Sequence, residues 1–136
     1  MKRILIFLAG LAICIVLVPG LIWAQDILPD TVWTRIFGGS VGDVARYVQQ
    51  TSDGGYILAG GTRSYGAGKD DVWLIKTDAQ GKKLWDHTFG GLGYDVANSV
   101  QQTSDGGYIL AGWTISYGAG VEDAWIIKTN ANGQVN

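Results

Sequence analysis

Thr51-Ser52-Asp53-Gly54-Gly55-Tyr56-Ile57-Leu58-Ala59-Gly60 recurs unchanged as Thr103 to Gly112, an offset of 52 residues. The same offset carries Trp33 to Trp85, Phe37-Gly38-Gly39 to Phe89-Gly90-Gly91, and Asp43-Val44-Ala45 to Asp95-Val96-Ala97. It also carries Ser64-Tyr65-Gly66-Ala67-Gly68 to Ser116 through Gly120, and Trp73 to Trp125. Residues 33–84 laid over 85–136 share about 33 identities in 52 positions with no gap, the mark of a duplicated structural unit.

Within each unit the apolar runs are short and separated by glycine-rich turns. Arg46 to Thr51, Tyr56 to Ala59, Val72 to Thr77 and Lys83 to Phe89 read as four strands; Asn98 to Thr103, Tyr108 to Ala111 and Ala124 to Thr129 repeat the first three. The fourth strand has an earlier copy at Val32 to Phe37. Asp53-Gly54 and Asp105-Gly106 predict tight hairpins with primed turns, which need positive φ. Val72 to Ile75 is apolar without alternation, so this strand is expected to be buried on both faces, with Trp73 and Trp125 as buried equivalents. Trp85 and Phe89 fall on one face by period two. No window beyond the N-terminal segment shows helical apolar spacing, so the fold is expected to be all-β.

The N-terminus is of another kind. Lys2-Arg3, the unbroken apolar run Ile4 to Val18, the Pro19-Gly20 break and Ala24 predict a secretory signal peptide over residues 1–24, followed by a linker over 25–32. The competing reading is an uncleaved anchor, since Ile4 to Ala24, at about 1.5 Å per residue, just reaches across a bilayer. Export places the repeats outside the cell, in the periplasm or on the cell surface. The single cysteine, Cys14, lies in this segment, so the repeats must hold together by packing without disulfides.

Net charge is -2 with acids and bases interleaved, which gives nucleic acid no basic surface. Six Trp and six Tyr argue against a disordered chain despite 21 glycines.

A tandem four-strand unit of about 50 residues resembles a β-propeller blade. Ile57-Leu58-Ala59-Gly60-Gly61, then Trp73 in the third strand and Trp85 opening the fourth, resembles the kelch pattern. Gly112-Trp113 replaces the double glycine in the second copy, and Trp73 stands where kelch repeats usually carry tyrosine before an Asp-Pro turn. The unit is more similar still to secreted bacterial and archaeal propeller-like repeats with an Asp-Gly-Gly-Tyr-Ile-Leu-Ala-Gly core and a Trp-Leu-Ile-Lys-Thr-Asp strand. The resemblance covers residues 33–136 and implies two four-stranded antiparallel blades of an incomplete ring. It implies little about function, because propellers host enzymes, scaffolds and lectins alike.

No catalytic constellation emerges. His87 is the only histidine and its repeat partner is Arg35; the serines lack a Gly-x-Ser-x-Gly elbow. One histidine and no cysteine in the repeats leave zinc too few ligands. Asp70-Asp71 and Glu122-Asp123 open a strand and point to opposite faces, so neither pair makes a calcium cage alone. Asp43 and Asp95 read as turn carboxylates accepting backbone N–H groups, with a ring of carboxylates for cations as the competing reading. No cofactor or metal is expected. Tyr65 and Tyr117 occupy equivalent glycine-rich loops, where aromatics stack on sugars or anchor a protein partner, with packing against the adjacent blade as the competing reading; Trp113 joins them as a candidate anchor.

The expected function is a non-enzymatic extracellular binding or scaffold module for a protein or a glycan. The alternative is part of a larger propeller-based hydrolase or lyase whose catalytic residues lie in other blades. Two blades do not close a ring, which typically takes about 4–8. The sequence therefore predicts either part of a longer chain or a homo-oligomer of three or four copies, each lending Val32 to Phe37 to a neighbour.

Overall fold

The computed structural model describes residues 33–135. The expected signal peptide, the linker and Val32 lie outside the described residues. Seven strands follow in order: β1 (Asp43–Gln50), β2 (Tyr56–Thr62), β3 (Asp71–Thr77), β4 (Lys83–Phe89), β5 (Asp95–Gln102), β6 (Tyr108–Thr114) and β7 (Asp123–Thr129), with no helix among the described residues. They form two antiparallel meanders, a four-stranded sheet β1-β2-β3-β4 and a three-stranded sheet β5-β6-β7. The fold is all-β, and the two sheets form no closed ring.

The hairpin turns differ from expectation in their chemistry. Among the described residues positive φ is confined to glycines, so Asp53 does not take it and the primed turn is excluded. Instead the Gly54 N–H donates to the Thr51 carbonyl (2.9 Å), with Gly54 at φ 82° and Thr51 N–H returning to Gly55 O (2.9 Å). Asp53 serves by accepting: its Oδ1 takes the Gly55 N–H (3.0 Å) and the Thr51 hydroxyl (2.5 Å). Lys76 adds an ion pair to the same carboxylate at 2.9 Å, with its ammonium also donating to the Thr77 carbonyl (2.8 Å). Asp105 and Lys128 repeat the pair at 2.8 Å.

β1 and β5 each carry a bulge, with register slipping between Ala45 and Tyr47 and between Ala97 and Ser99. The bulge drives the Val44 and Val96 carbonyl oxygens into the space a Cβ would occupy at Gly60 and Gly112, so only glycine fits there.

Each sheet has two faces, and cross-strand partners share one. The front of the first sheet holds Ile57 and Ala59 on β2, Val72 and Leu74 on β3, and the Trp85, His87, Phe89 row on β4. The back of the second sheet holds Val100, Tyr108, Leu110, Trp125 and Ile127. These two faces form the core, with Trp85 set edge-on against Tyr108 at 5.8 Å. The packing is front to back, so identical repeats present different faces to each other.

β3 is buried along its whole length, as the apolar run predicted. β7, its copy, is not: it ends the second sheet and alternates between covered and exposed positions. Trp73 is buried whereas Trp125 is only half-buried, so the expected equivalence of the two fails, because among the described residues no strand lies beside the outer edge of β7. Residues 33–37 carry no strand pairing, against the expectation of a strand copy there. Trp33 lies edge-on to Tyr56 at 5.7 Å, at the back of the first sheet.

Candidate functional site

Strands β1 and β5 begin, and β2, β4 and β6 end, at one end of the sheets. The segments 38–42, 63–70, 90–94 and 115–122 therefore share one rim. Each half of this rim is tied by a carboxylate. Asp95, wholly buried, accepts the Gly91 N–H (2.9 Å), the Ser116 hydroxyl (2.6 Å) and the Thr114 hydroxyl, with Ser116 N–H at 3.4 Å. Asp43 repeats the set with Gly39 N–H (2.9 Å), Ser64 hydroxyl (2.7 Å), Thr62 hydroxyl and Ser64 N–H (3.4 Å). Burial works to raise the Asp43 carboxyl, but these donors outweigh it and lower the pKa to about 2. Asp95 is lowered by the same balance. Both aspartates thus hold the rim loops as turn carboxylates.

The tyrosines rest on this frame. The Tyr65 hydroxyl donates to the Gly38 carbonyl (3.1 Å) and its ring packs on Trp73 at 5.5 Å. The Tyr117 hydroxyl donates to the Gly90 carbonyl (2.8 Å) and its ring packs on Trp125 at 5.4 Å. Each ring is fixed at its tip and along one side, yet about half exposed, at 45% and 51%.

Around the two tyrosines the repeats part company. Ser40, Val41, Gly42, Arg63, Lys69 and Asp70 in the first repeat correspond to Leu92, Gly93, Tyr94, Ile115, Val121 and Glu122 in the second. The first half-rim is charged: Arg63 Nε meets Asp70 Oδ1 at 2.6 Å, and Lys69 lies over Tyr94 at 5.0 Å. The second carries exposed apolar side chains, with Leu92 and Val121 each 85% exposed and Ile115 also exposed, and Glu122 as its one acid.

Trp113 lies in a strand next to the rim end and not in a rim loop. It is in β6, opposite Ala124, on the front of the second sheet with Ile109 and Ala111. Asp70 and Asp71 diverge as expected: Asp71 is buried and accepts the Gly68 N–H (3.0 Å), while Asp70 turns to Arg63. His87, in β4, donates its Nε2–H to the Asn132 carbonyl (2.9 Å) inside the Trp85–His87–Phe89 row, and neither Ser64 nor Ser116 is among its partners. No three His, Cys, Asp or Glu side chains among the described residues converge for a metal.

The chain matches no protein-family model and no curated protein.

The aspartate ties and the Asp53–Lys76 pair were not singled out as networks by sequence reasoning. Their side-chain partners lie 19 to 23 residues apart, on different strands and turns. The available signal was that Asp43, Thr62, Ser64, Asp53 and Lys76 all survive unchanged in the second repeat.

Proposed function

We propose that the chain is a non-enzymatic, extracellular binding module built from two kelch-like propeller blades, and that it holds a protein partner at the rim carrying Tyr65 and Tyr117. One observation carries the reading. Two tyrosines are held alike by identical frames while six rim positions flanking them differ between the repeats. A constant frame with a variable rim is the arrangement of a scaffold presenting a recognition surface. Rigid aromatics lose little entropy on binding and serve as anchors. The exposed Leu92, Ile115 and Val121 favour a protein over a sugar, whose hydroxyls would call for more polar partners. The reading as a non-enzyme draws on the same geometry: the Ser64 and Ser116 hydroxyls are spent on Asp43 and Asp95, with His87 tied elsewhere. Export by the N-terminal segment supplies the extracellular setting.

The test is a binding screen of the exported chain against cell-surface proteins, with a glycan array beside it. A protein ligand should lose affinity roughly 30-fold or more in Tyr117→Ala, as a central aromatic anchor does, and keep most of it in Asn132→Ala at the opposite end. A ligand found only on the glycan array, or one indifferent to Tyr65, Leu92 and Tyr117, would refute the reading.

A further inference from the structure

Among the described residues, the front-to-back packing of the two sheets leaves the front of the second sheet and part of the back of the first exposed, and these are the repeat counterparts of the two surfaces that pair inside the chain. On the backs, Ala45, Val48, Tyr56, Leu58, Trp73 and Ile75 of the first sheet are identical to Ala97, Val100, Tyr108, Leu110, Trp125 and Ile127 of the second. Val100 is 2% exposed under the first sheet; Val48, the same side chain in the same place, is 57% exposed and lines an open groove of about 700 Å³. On the fronts, Leu74 is fully buried, while its counterpart Ile126 is 68% exposed. Lone exposed apolar residues are ordinary, but exposed apolar patches on both sheets that repeat buried ones are not.

We propose that the occupant of both faces is a second copy of this chain, docked head to tail: the front of one copy's second sheet against the back of the next copy's first sheet. The proposal is independent of what the rim binds. It rests on continuity with the interface within the chain. Ile109, Ala111 and Ile126 would take the places of Ile57, Ala59 and Leu74 against an unchanged back face. At one pair the bulk moves: Gly61 opposite Val72 becomes Trp113 opposite Ala124, so an incoming Val44 meets an indole where Val96 meets Gly61.

The segment 33–37 supports the same geometry. Trp85 crosses Tyr108 at 5.8 Å and 63°, in the space left by Gly133. Trp33 crosses Tyr56 at 5.7 Å and 69°, in the space left by Gly81. Residues 33–37 thus sit over the first sheet's back as β4 sits over the second's, and β4 is the fourth strand of the sheet it belongs to. Docking would lay 33–37 along the free edge of the neighbour's β7. The β3–β4 register, shifted by one repeat, pairs Phe37 with Ala124, Arg35 with Ile126 and Trp33 with Lys128. The free edge and the half-buried Trp125 are covered in one step. A front-to-back contact is heterologous, and it closes into a ring when the rotation per copy allows.

The experiment uses the chain purified from an exporting host, in mild detergent, with mass read by light scattering. Wild type should be a multimer of the single chain. Ile126→Glu blocks the front and Val48→Glu blocks the back; both sites are exposed in one copy, so each variant should keep the wild-type circular dichroism and run as a monomer. Mixed one to one, they should form a dimer and nothing larger, because each retains the face that the other lost. Ile109→Lys is a second variant of the front and should behave as Ile126→Glu; Leu92→Glu, at the rim, should leave the multimer intact. A monomeric wild type, self-association of Ile126→Glu or Val48→Glu alone, or a mixture that stays monomeric would each overturn the proposal.

Discussion

Replacing Asp95 with alanine separates a structural carboxylate from a ligand-binding one. Asp95 is wholly buried and accepts from the Gly91 N–H, the Ser116 hydroxyl and the Thr114 hydroxyl. Alanine leaves the Gly91 amide without an acceptor and strips both hydroxyls of theirs. An unsatisfied buried donor costs about 1–3 kcal/mol, and hydrogen bonds to a charged acceptor lie toward the upper end. Hydroxyls can turn to other acceptors and amides cannot, so the amide should dominate. The loss is expected at about 3–5 kcal/mol, a large part of the roughly 5–15 kcal/mol that holds a domain of this size. Asp43 is the internal control. Its donor set is the same, but its site is only partly covered, so water can replace the carboxylate and Asp43→Ala should cost about 1–2 kcal/mol. Asp95→Asn keeps one acceptor oxygen and should fall between the two. Urea titration at neutral pH reads all three, with an unchanged slope showing that the unfolded reference is the same. Equal losses at Asp43 and Asp95, or a loss below about 1 kcal/mol at Asp95, would refute the reasoning. So would calcium raising the wild-type midpoint while leaving Asp95→Ala unmoved, since the carboxylate would then be a cation ligand.

Two further outcomes follow from the same geometry. Trp73 is buried and donates its indole N–H to Asp86 at 2.9 Å, so in the monomeric Val48→Glu background Trp73→Ala should cost about 3–5 kcal/mol, whereas half-buried Trp125 should cost clearly less in the same titration; equal losses would mean that β7 is covered in the isolated chain. Asp43, Asp53, Asp95 and Asp105 all have lowered pKa values, Asp43 falling from 3.8 to about 2. In acid the unfolded chain binds more protons than the folded one. Their stabilisation is therefore complete above the unfolded value of 3.8 and disappears as pH falls toward 2 and below. Thermal unfolding should show a flat midpoint near neutrality and a decline through that window, and a midpoint flat to pH 2 would count against the ties.

What the sequence disclosed and what it withheld divide along a physical line. The Val72 to Thr77 and Lys83 to Phe89 strands were legible almost to the residue, because local alternation, flanking turns and apolar runs decide them. β1 starts three residues earlier than its predicted copy at Arg46, since a bulge disturbs the alternation that marks a strand. Tyr65 and Tyr117 were legible as a pair through repetition alone, but their hydroxyl anchors at Gly38 and Gly90 lie 27 residues away, and no local pattern reports them. Trp113 was grouped with the two tyrosines as a third anchor; the β6–β7 register puts it on a sheet face instead. The sharpest divergence is between identical residues. Val48 and Val100 stand opposite the same leucine, and Trp73 and Trp125 opposite the same glycine of the preceding strand, yet each pair differs in burial. Nothing within one repeat can distinguish them, because the difference comes from the adjoining sheet or strand. A duplicated sequence specifies each sheet twice over and says little about which neighbour covers it. The parts of this fold that were hardest to read are therefore the unpaired edge of β7 and the two open faces, where a neighbour of the same kind fits.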